Sequence, residues 1–187
     1  RYTDFIIINN CWINFTDNSN YIFKLVSIES IDVDDQLTSF SLSIPKDSLQ
    51  QSIQEVGIIH PITLAPLGNL FQTVCGHSRI KIASQLKINL IPARILDSAP
   101  SKESMLMLNL SENQFHHNYS DIEKGFILSK LSLVKVPEIR IIEKYMPMLG
   151  LEKSKKLLED HLNSNQLLSN LKTLLHEMNV PLRVFSV

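Results

Sequence analysis

Apolar residues change their spacing along this chain near residue 100. From Tyr21 to Leu96 they come in short runs, Phe23 to Val26, Pro61 to Ala65, Leu70 to Cys75 and Ile91 to Leu96, each of strand length and rich in β-favouring side chains. These runs predict four strands. Lys46 to Val56, after Pro45, and His77 to Leu86 instead carry helical spacing, and Gly57 is placed to end the first of these in a left-handed cap. Leu67-Gly68-Asn69, between the second and third runs, has the turn chemistry of a hairpin. Asp4 to Phe15 offers an edge strand or a hairpin, with Ile6, Ile8 and Phe15 available to pack.

After Pro100 the strand signals stop. Helical spacing covers Ser101 to Gln114, Asp121 to Leu133, Pro137 to Tyr145, Glu152 to Leu162 and Gln166 to Met178. Ser120-Asp121-Ile122-Glu123 reads as a capping box, in which the serine hydroxyl accepts from a free backbone N–H and the glutamate returns the bond. Pro147 and Gly150 separate two short helices within Ile141 to Leu162, and Ile142, Leu149, Leu151, Leu157, Leu158 and Leu162 are spaced to pack them together. A helix-turn-helix is the compact solution, because its tight turn often needs a glycine. The expected fold class is α+β, a small mixed-sheet domain followed by an all-helical one.

Composition narrows the function classes. The chain has 187 residues, 44% hydrophobic and 20% charged, with a formal net charge of -1, which is ordinary for a globular protein. No apolar run approaches the roughly 20 residues a membrane helix needs, so no membrane association is expected. Cys11 and Cys75 are too few for a disulfide scaffold and lack C-x-x-C spacing, which points to a reducing compartment, the cytoplasm. The chain opens at Arg1 without Met and stops at Val187 in an apolar stretch, which predicts that it is part of a longer protein.

Basic residues concentrate between Lys135 and Lys156, where Lys135, Arg140, Lys144, Lys153, Lys155 and Lys156 face Glu138, Glu143 and Glu152. A solvated helical face accounts for such a run, and so does the edge of a nucleic-acid surface. In Val74-Cys75-Gly76-His77-Ser78-Arg79-Ile80-Lys81 a strand leads through one glycine into a helix. Gly76 there lets backbone N–H groups approach an anion while Arg79 and Lys81 add charge, and a tight strand-to-helix turn is the plainer reading of the same residues.

Taken together, Leu25 to Ile31, Leu49 to Ile62, Gly76 to Ala83, Ile91-Pro92-Ala93 and Glu112-Asn113 resemble the ParB/sulfiredoxin-like superfamily in order and spacing over residues 20–120. With the helical continuation, the resemblance is to the ParB partition branch. There, G-E-R-R-x-R-A and E-N-x-x-R motifs build a CTP pocket. The resemblance implies a nucleotide-binding turn at Gly76, His77, Ser78, Arg79 and Lys81, with Asn113 contributing, and a magnesium ion held by Glu112 and Asn113. A carboxylate and an amide oxygen are hard ligands suited to an ion that also binds phosphate.

The departures are as informative. His77-Ser78 replace the family's Glu-Arg, Lys81 replaces its last arginine, His116 stands where E-N-x-x-R ends, and Gln36 to Ile44 contains no base. Each missing arginine removes a charge-assisted hydrogen bond to phosphate worth about 1.5–3 kcal/mol. The pocket is therefore partly degenerate, and any activity is at most weak CTP hydrolysis. Sulfiredoxin chemistry needs a cysteine immediately after the glycine, where this chain has His77, while Cys75 on the other side is expected in the core. A free serine kinase is the enzymatic alternative, since Gly76-His77-Ser78-Arg79 resembles its turn and Glu29 lies near where those kinases carry an acid. A scaffold that has lost nucleotide binding is the other.

The helix-turn-helix completes the reading as a partition or KorB-like DNA-binding protein. Its second helix places Lys153, Lys155 and Lys156 for phosphates, and Ser154 and His161 for base edges, in the DNA groove. A plain helical bundle is the competing view. His116-His117 make no metal site, because adjacent histidines diverge on a helix. The expected division is an N-terminal extension at 1–19, the α/β domain at 20–98, a connecting helix at 99–118 and the helical domain at 119–187. Partners are double-stranded DNA, a nucleotide, and a second copy bound through a region beyond Val187.

Overall fold

The computed structural model describes residues 6–8, 11–13, 21–33, 35–40, 47–113 and 119–177, with the backbone alone for 6–8, 11–13, 168, 169 and 171–177. Strands β1 (Ile6–Ile8) and β2 (Cys11–Ile13) pair antiparallel as a two-stranded sheet of their own. A second sheet has five strands, β3 (Tyr21–Ser27), β4 (Ile31–Asp32), β5 (Ile62–Leu67), β6 (Leu70–Cys75) and β7 (Leu90–Leu96), in the order β3-β7-β5-β6-β4. Helix α1 (Asp47–Val56) precedes β5, and α2 (His77–Gln85) joins β6 to β7. The sheet is mixed: β3 and β7, and β5 and β6, run antiparallel, while β5 with β7 and β4 with β6 run parallel.

Strand β5 lies in the middle of the sheet, and Ile62, Thr63, Leu64 and Ala65 are all buried, which is why this stretch reads as an unbroken apolar run and not an alternating one. Gly68 turns β5 into β6 with φ +57°, and Leu67 pairs with Leu70, as the turn chemistry predicts. The fifth strand, β4, escaped the sequence pattern because two residues carry no period; it follows a 3-10 turn, Ile28–Ser30, in which the Ser30 hydroxyl donates to the Ser27 carbonyl at 2.7 Å.

The chain divides into two compact units, Arg1–Val33 with Asp47–Pro100, and Asp34–Lys46 with Ser101–Val187. In the first, Val26, Ile31, Ile62, Leu64, Ile91 and Ile95 form the core with Ile80 and Ala83 of α2. The second contains α3 (Lys102–Asn113), α4 (Asp121–Leu133), a continuous helical run over 138–148 that we call α5, and α6 (Lys155–Glu177). Helix α3, expected as a connector, groups with the helices after it. So does the arm at 35–40, whose Thr38 and Phe40 are buried and whose Phe40 joins the core of Leu106, Ile127, Leu131, Tyr145 and Leu158.

Lys130 of α4 clasps that arm. Its ammonium donates to the carbonyls of Gln36 and Ser39 and lies 5.2 Å from the centre of the Phe40 ring. Burial lowers its pKa from 10.5 to about 8, against the opposing pull of Asp35.

The last two helices differ from expectation in extent. The run at 138–148 passes through Pro147, because residues Ile141–Tyr145 form a wider π turn. Proline ends an α-helix by lacking an N–H and by crowding the carbonyl four residues back, and the wider turn relieves that crowding. Glu152 to Leu162 and Gln166 to Met178 are one helix, α6, over its described length; it begins only at Lys155, and residue 178 lies outside the described residues. Among the described residues no helix is long and apolar enough to cross a membrane.

The capping box is present. Ser120 accepts from the Glu123 N–H at 3.4 Å, and Glu123 Oε2 accepts from the Ser120 N–H at 2.9 Å. Ser120→Ala is expected to destabilise the fold by about 1 kcal/mol. A denaturant midpoint that falls with an unchanged slope would report it, and an unshifted midpoint would show that the box contributes nothing.

Candidate functional site

The turn after β6 is built around a steric requirement. Gly76 adopts φ +102°, and a Cβ there would stand 2.7 Å from Ile62 Cγ2 and 3.3 Å from the Ile62 Cα. The glycine is thus demanded by the close passage of β5, before any ligand is considered. His77 opens α2, Ile80, Ile82 and Ala83 anchor the helix in the core, and Lys81 is exposed on its opposite side. The start of a helix suits an anion, although here the Arg79 N–H already donates to the Gly76 carbonyl at 2.9 Å. Arg79 is engaged within the protein. Its Nη1 donates to the carbonyls of His60 at 2.6 Å and Pro61 at 2.8 Å, tying α2 to the loop before β5. Cys75 is buried at the strand end, a core residue as expected. Glu29 is exposed in its 3-10 turn.

Glu112 and Asn113 end α3 and are half-buried. The Asn113 amide donates to the Asn109 carbonyl at 2.9 Å and to its Oδ1 at 3.0 Å, which leaves Asn113 Oδ1 as the acceptor atom. Among the described residues no three His, Cys, Asp or Glu side chains converge on a point. A nucleotide-borne magnesium needs only one or two protein oxygens, since phosphate and water supply the rest, and the Glu112 carboxylate with Asn113 Oδ1 fits that chemistry. Gly76, His77, Ser78, Arg79 and Lys81 share one turn of the first unit, while Glu112 and Asn113 share one turn of the second. His116 and His117 lie outside the described residues.

Helices α5 and α6 are joined by a turn in which Gly150 takes φ +69°. Ile141, Ile142, Tyr145 and Met146 of α5 and Leu149 of the turn pack with Leu158 of α6 in one core. The Ser154 hydroxyl accepts from the Leu157 N–H at 3.2 Å, so this serine caps α6. Lys153, in the turn, reaches Glu143 at 2.6 Å, and Lys155 reaches Glu138 at 3.2 Å and Glu159 at 3.9 Å. Lys156 is exposed and in no ion pair among the described residues. His161 is half-buried on the side of α6 that meets α4, where its Nδ1 would lie 3.8 Å from a Cβ on Gly125.

One polar cluster went unread in the sequence. Glu103 at the start of α3 accepts from the Tyr145 hydroxyl at 2.8 Å and from Arg140 Nη1 at 3.3 Å, bracing α3 against α5. Tyr145 is buried, and burial with the carboxylate beside it raises its pKa well above the usual tyrosine value. Partners 37 and 42 residues apart leave no local pattern to read.

The chain is thus a mixed five-stranded sheet, whose strand β6 leads through Gly76 into α2, followed by a helical unit. Within it, residues 19–114 match the ParB N-terminal domain, and the chain belongs to that family. It is 25% identical over 119 residues to the probable chromosome-partitioning protein ParB of Borreliella burgdorferi, an alignment covering 61% of this chain and 45% of that protein. It is 31% identical over 62 residues to the probable plasmid-partitioning protein ParB of Thermus thermophilus, covering 33% of this chain and 21% of that one. The chain thus spans less than half the length of these curated relatives. Among solved structures, the C-terminally truncated chromosome-partitioning protein ParB of Caulobacter crescentus, complexed with CTP-gamma-S, is 18% identical with a TM-score of 0.41, over 86% of this chain and 87% of that one.

Proposed function

We propose that this protein is a cytoplasmic DNA-binding protein of the partition type, whose α5–α6 pair reads duplex DNA as a helix-turn-helix and whose Gly76 turn is a weakened nucleotide pocket. The observation that carries the reading is the exposed lysine group at the head of α6: Lys153, Lys155 and Lys156 stand where the second helix of such a motif meets phosphates. Ser154 fixes the start of that helix, and His161 serves the packing against α4. Two copies of the chain would match a palindromic site.

For the nucleotide, the proposed ligand is CTP with magnesium; the Caulobacter protein is complexed with CTP-gamma-S. The N-terminus of α2 and the exposed Lys81, both in the first unit, would take the phosphates. Arg79's bonds to two loop carbonyls support a second reading, a scaffold that no longer binds nucleotide.

Fluorescence anisotropy with a labelled random duplex tests the first reading. Binding is expected at low salt, with a dissociation constant of about 10⁻⁴ to 10⁻⁶ M and a log–log salt slope of about -0.9 per phosphate neutralised. No binding at low salt would sink it. A thermal-shift panel of CTP, ATP, ADP and GTP with magnesium decides the pocket, because ligand at about 100 times its dissociation constant adds about 2.7 kcal/mol. Silence at millimolar nucleotide leaves the scaffold reading.

A further inference from the structure

We infer that Glu138 and Glu143 are built-in competitors for DNA phosphate, holding Lys155 and Lys153 on α5 and thereby limiting how tightly, and with what salt dependence, the helix pair binds duplex. The inference rests on the DNA reading above.

Its basis is the pairing at the head of α6. Lys153 Nζ lies 2.6 Å from Glu143 Oε2 and Lys155 Nζ 3.2 Å from Glu138 Oε1. The lysine side chains are 53% and 65% exposed and both glutamates 54%, so both pairs stand in water. Exposed pairs are weak and screened by salt, hence a phosphate can displace the carboxylate. Displacement has two consequences. Lys153 exchanges one carboxylate for phosphate, and Lys155, which also lies 3.9 Å from Glu159 Oε1, gives up Glu138 first, so the net gain of each on binding DNA is small. Each released carboxylate also stays within a Debye length of about 8–10 Å of the phosphates and repels them. Lys156, in no ion pair among the described residues, makes its phosphate contact without exchange. The three lysines therefore differ in worth although their sequence context is alike.

The test is anisotropy with random duplex over a salt series, on the whole chain, comparing the wild type, Glu138→Gln/Glu143→Gln, and Glu152→Gln/Asp160→Asn. The last pair removes the same two charges from residues that are exposed and in no ion pair among the described residues. The first double variant is expected to bind about three- to tenfold tighter at low salt, with a slope steeper by up to about 0.9 per lysine released. The control is expected to shift affinity about twofold or less, as screened bulk charge does. Should the double variant lose its melting transition, the single variants give the same reading.

Unchanged binding in Glu138→Gln/Glu143→Gln, with the wild type binding normally, overturns the inference and leaves the DNA reading intact. An equal gain in the control overturns it too, in favour of net charge. A wild type that binds no duplex at any salt removes the DNA reading and the inference with it.

Discussion

Replacing Lys153, Lys155 and Lys156 together by alanine is expected to weaken binding to random duplex by about a decade or more at 0.1 M salt and to flatten the log–log slope by at least about 0.9, the worth of the Lys156 phosphate contact, since Lys153 and Lys155 exchange a carboxylate for each phosphate they meet. The fold should not suffer. Lys155 begins α6, where the helix dipole disfavours a positive charge, and the ion pairs it and Lys153 make are exposed. A melting temperature equal to the wild type's beside lost DNA binding is therefore the expected pair of results. Their separation matters, because a helical bundle without a nucleic-acid role would keep both. If the triple variant binds random duplex as the wild type does, α5 and α6 are such a bundle. Ser154→Ala differs in kind: it removes the α6 cap, so its loss should appear in the melting curve before any in DNA binding.

The second large effect concerns Gly76. Gly76→Ala is expected to destabilise the protein by about 2–6 kcal/mol, joining the strain of a side chain at positive φ, about 1–3 kcal/mol, to overpacking of about 1–3 kcal/mol. The overpacking is specific, since the new Cβ would meet Ile62 at 2.7 Å and Ile62 is fully buried in the central strand. At about 2–4 °C per kcal/mol for a chain of this size, the melting temperature should fall by several degrees or more without any nucleotide present. Gly68→Ala is the control: φ is +57° there, but a Cβ meets nothing within 4 Å. Equal losses at the two positions would show that contact with Ile62 does not matter. The result also guards the pocket experiment, as lost nucleotide binding in Gly76→Ala would report the fold and not a phosphate contact.

How far the sequence could be read depended on the reach of each interaction. The Ser120–Glu123 box closes over three residues, so its two polar side chains announced it. β5 and β6 declared themselves through apolar content, and Gly68 through turn chemistry. The helical spacing stops at Leu162 and resumes at Gln166, yet Asn165 Nδ2 donates to Ser129 Oγ of α4 at 2.6 Å and α6 runs on. Tertiary contact overrode spacing there, as the π turn overrode Pro147. At the candidate site, residue types and their helix were legible, but side-chain direction was not. Nothing local tells Arg79 to turn toward the carbonyls of His60 and Pro61, 19 and 18 residues back. Nor does anything local tell His161 to face α4.

The clasp that Lys130 closes on the arm has a consequence for the order in which this protein is made. Lys130 and Gln36 lie 94 residues apart, with the sheet strands β5, β6 and β7 synthesised between them. Phe40 leaves the ribosome long before α4, its partner in the core, exists. The arm must wait through the synthesis of Asp47–Pro100, the larger part of the first unit, and closing so long a loop costs chain entropy before any contact offsets it. A piece cut at residue 101 would contain α3 to α6 and still lack Phe40. Refolding of the intact chain should accordingly show the helical unit gaining its fixed packing in a single slow phase, one in which the strands flanking the arm have already taken their places.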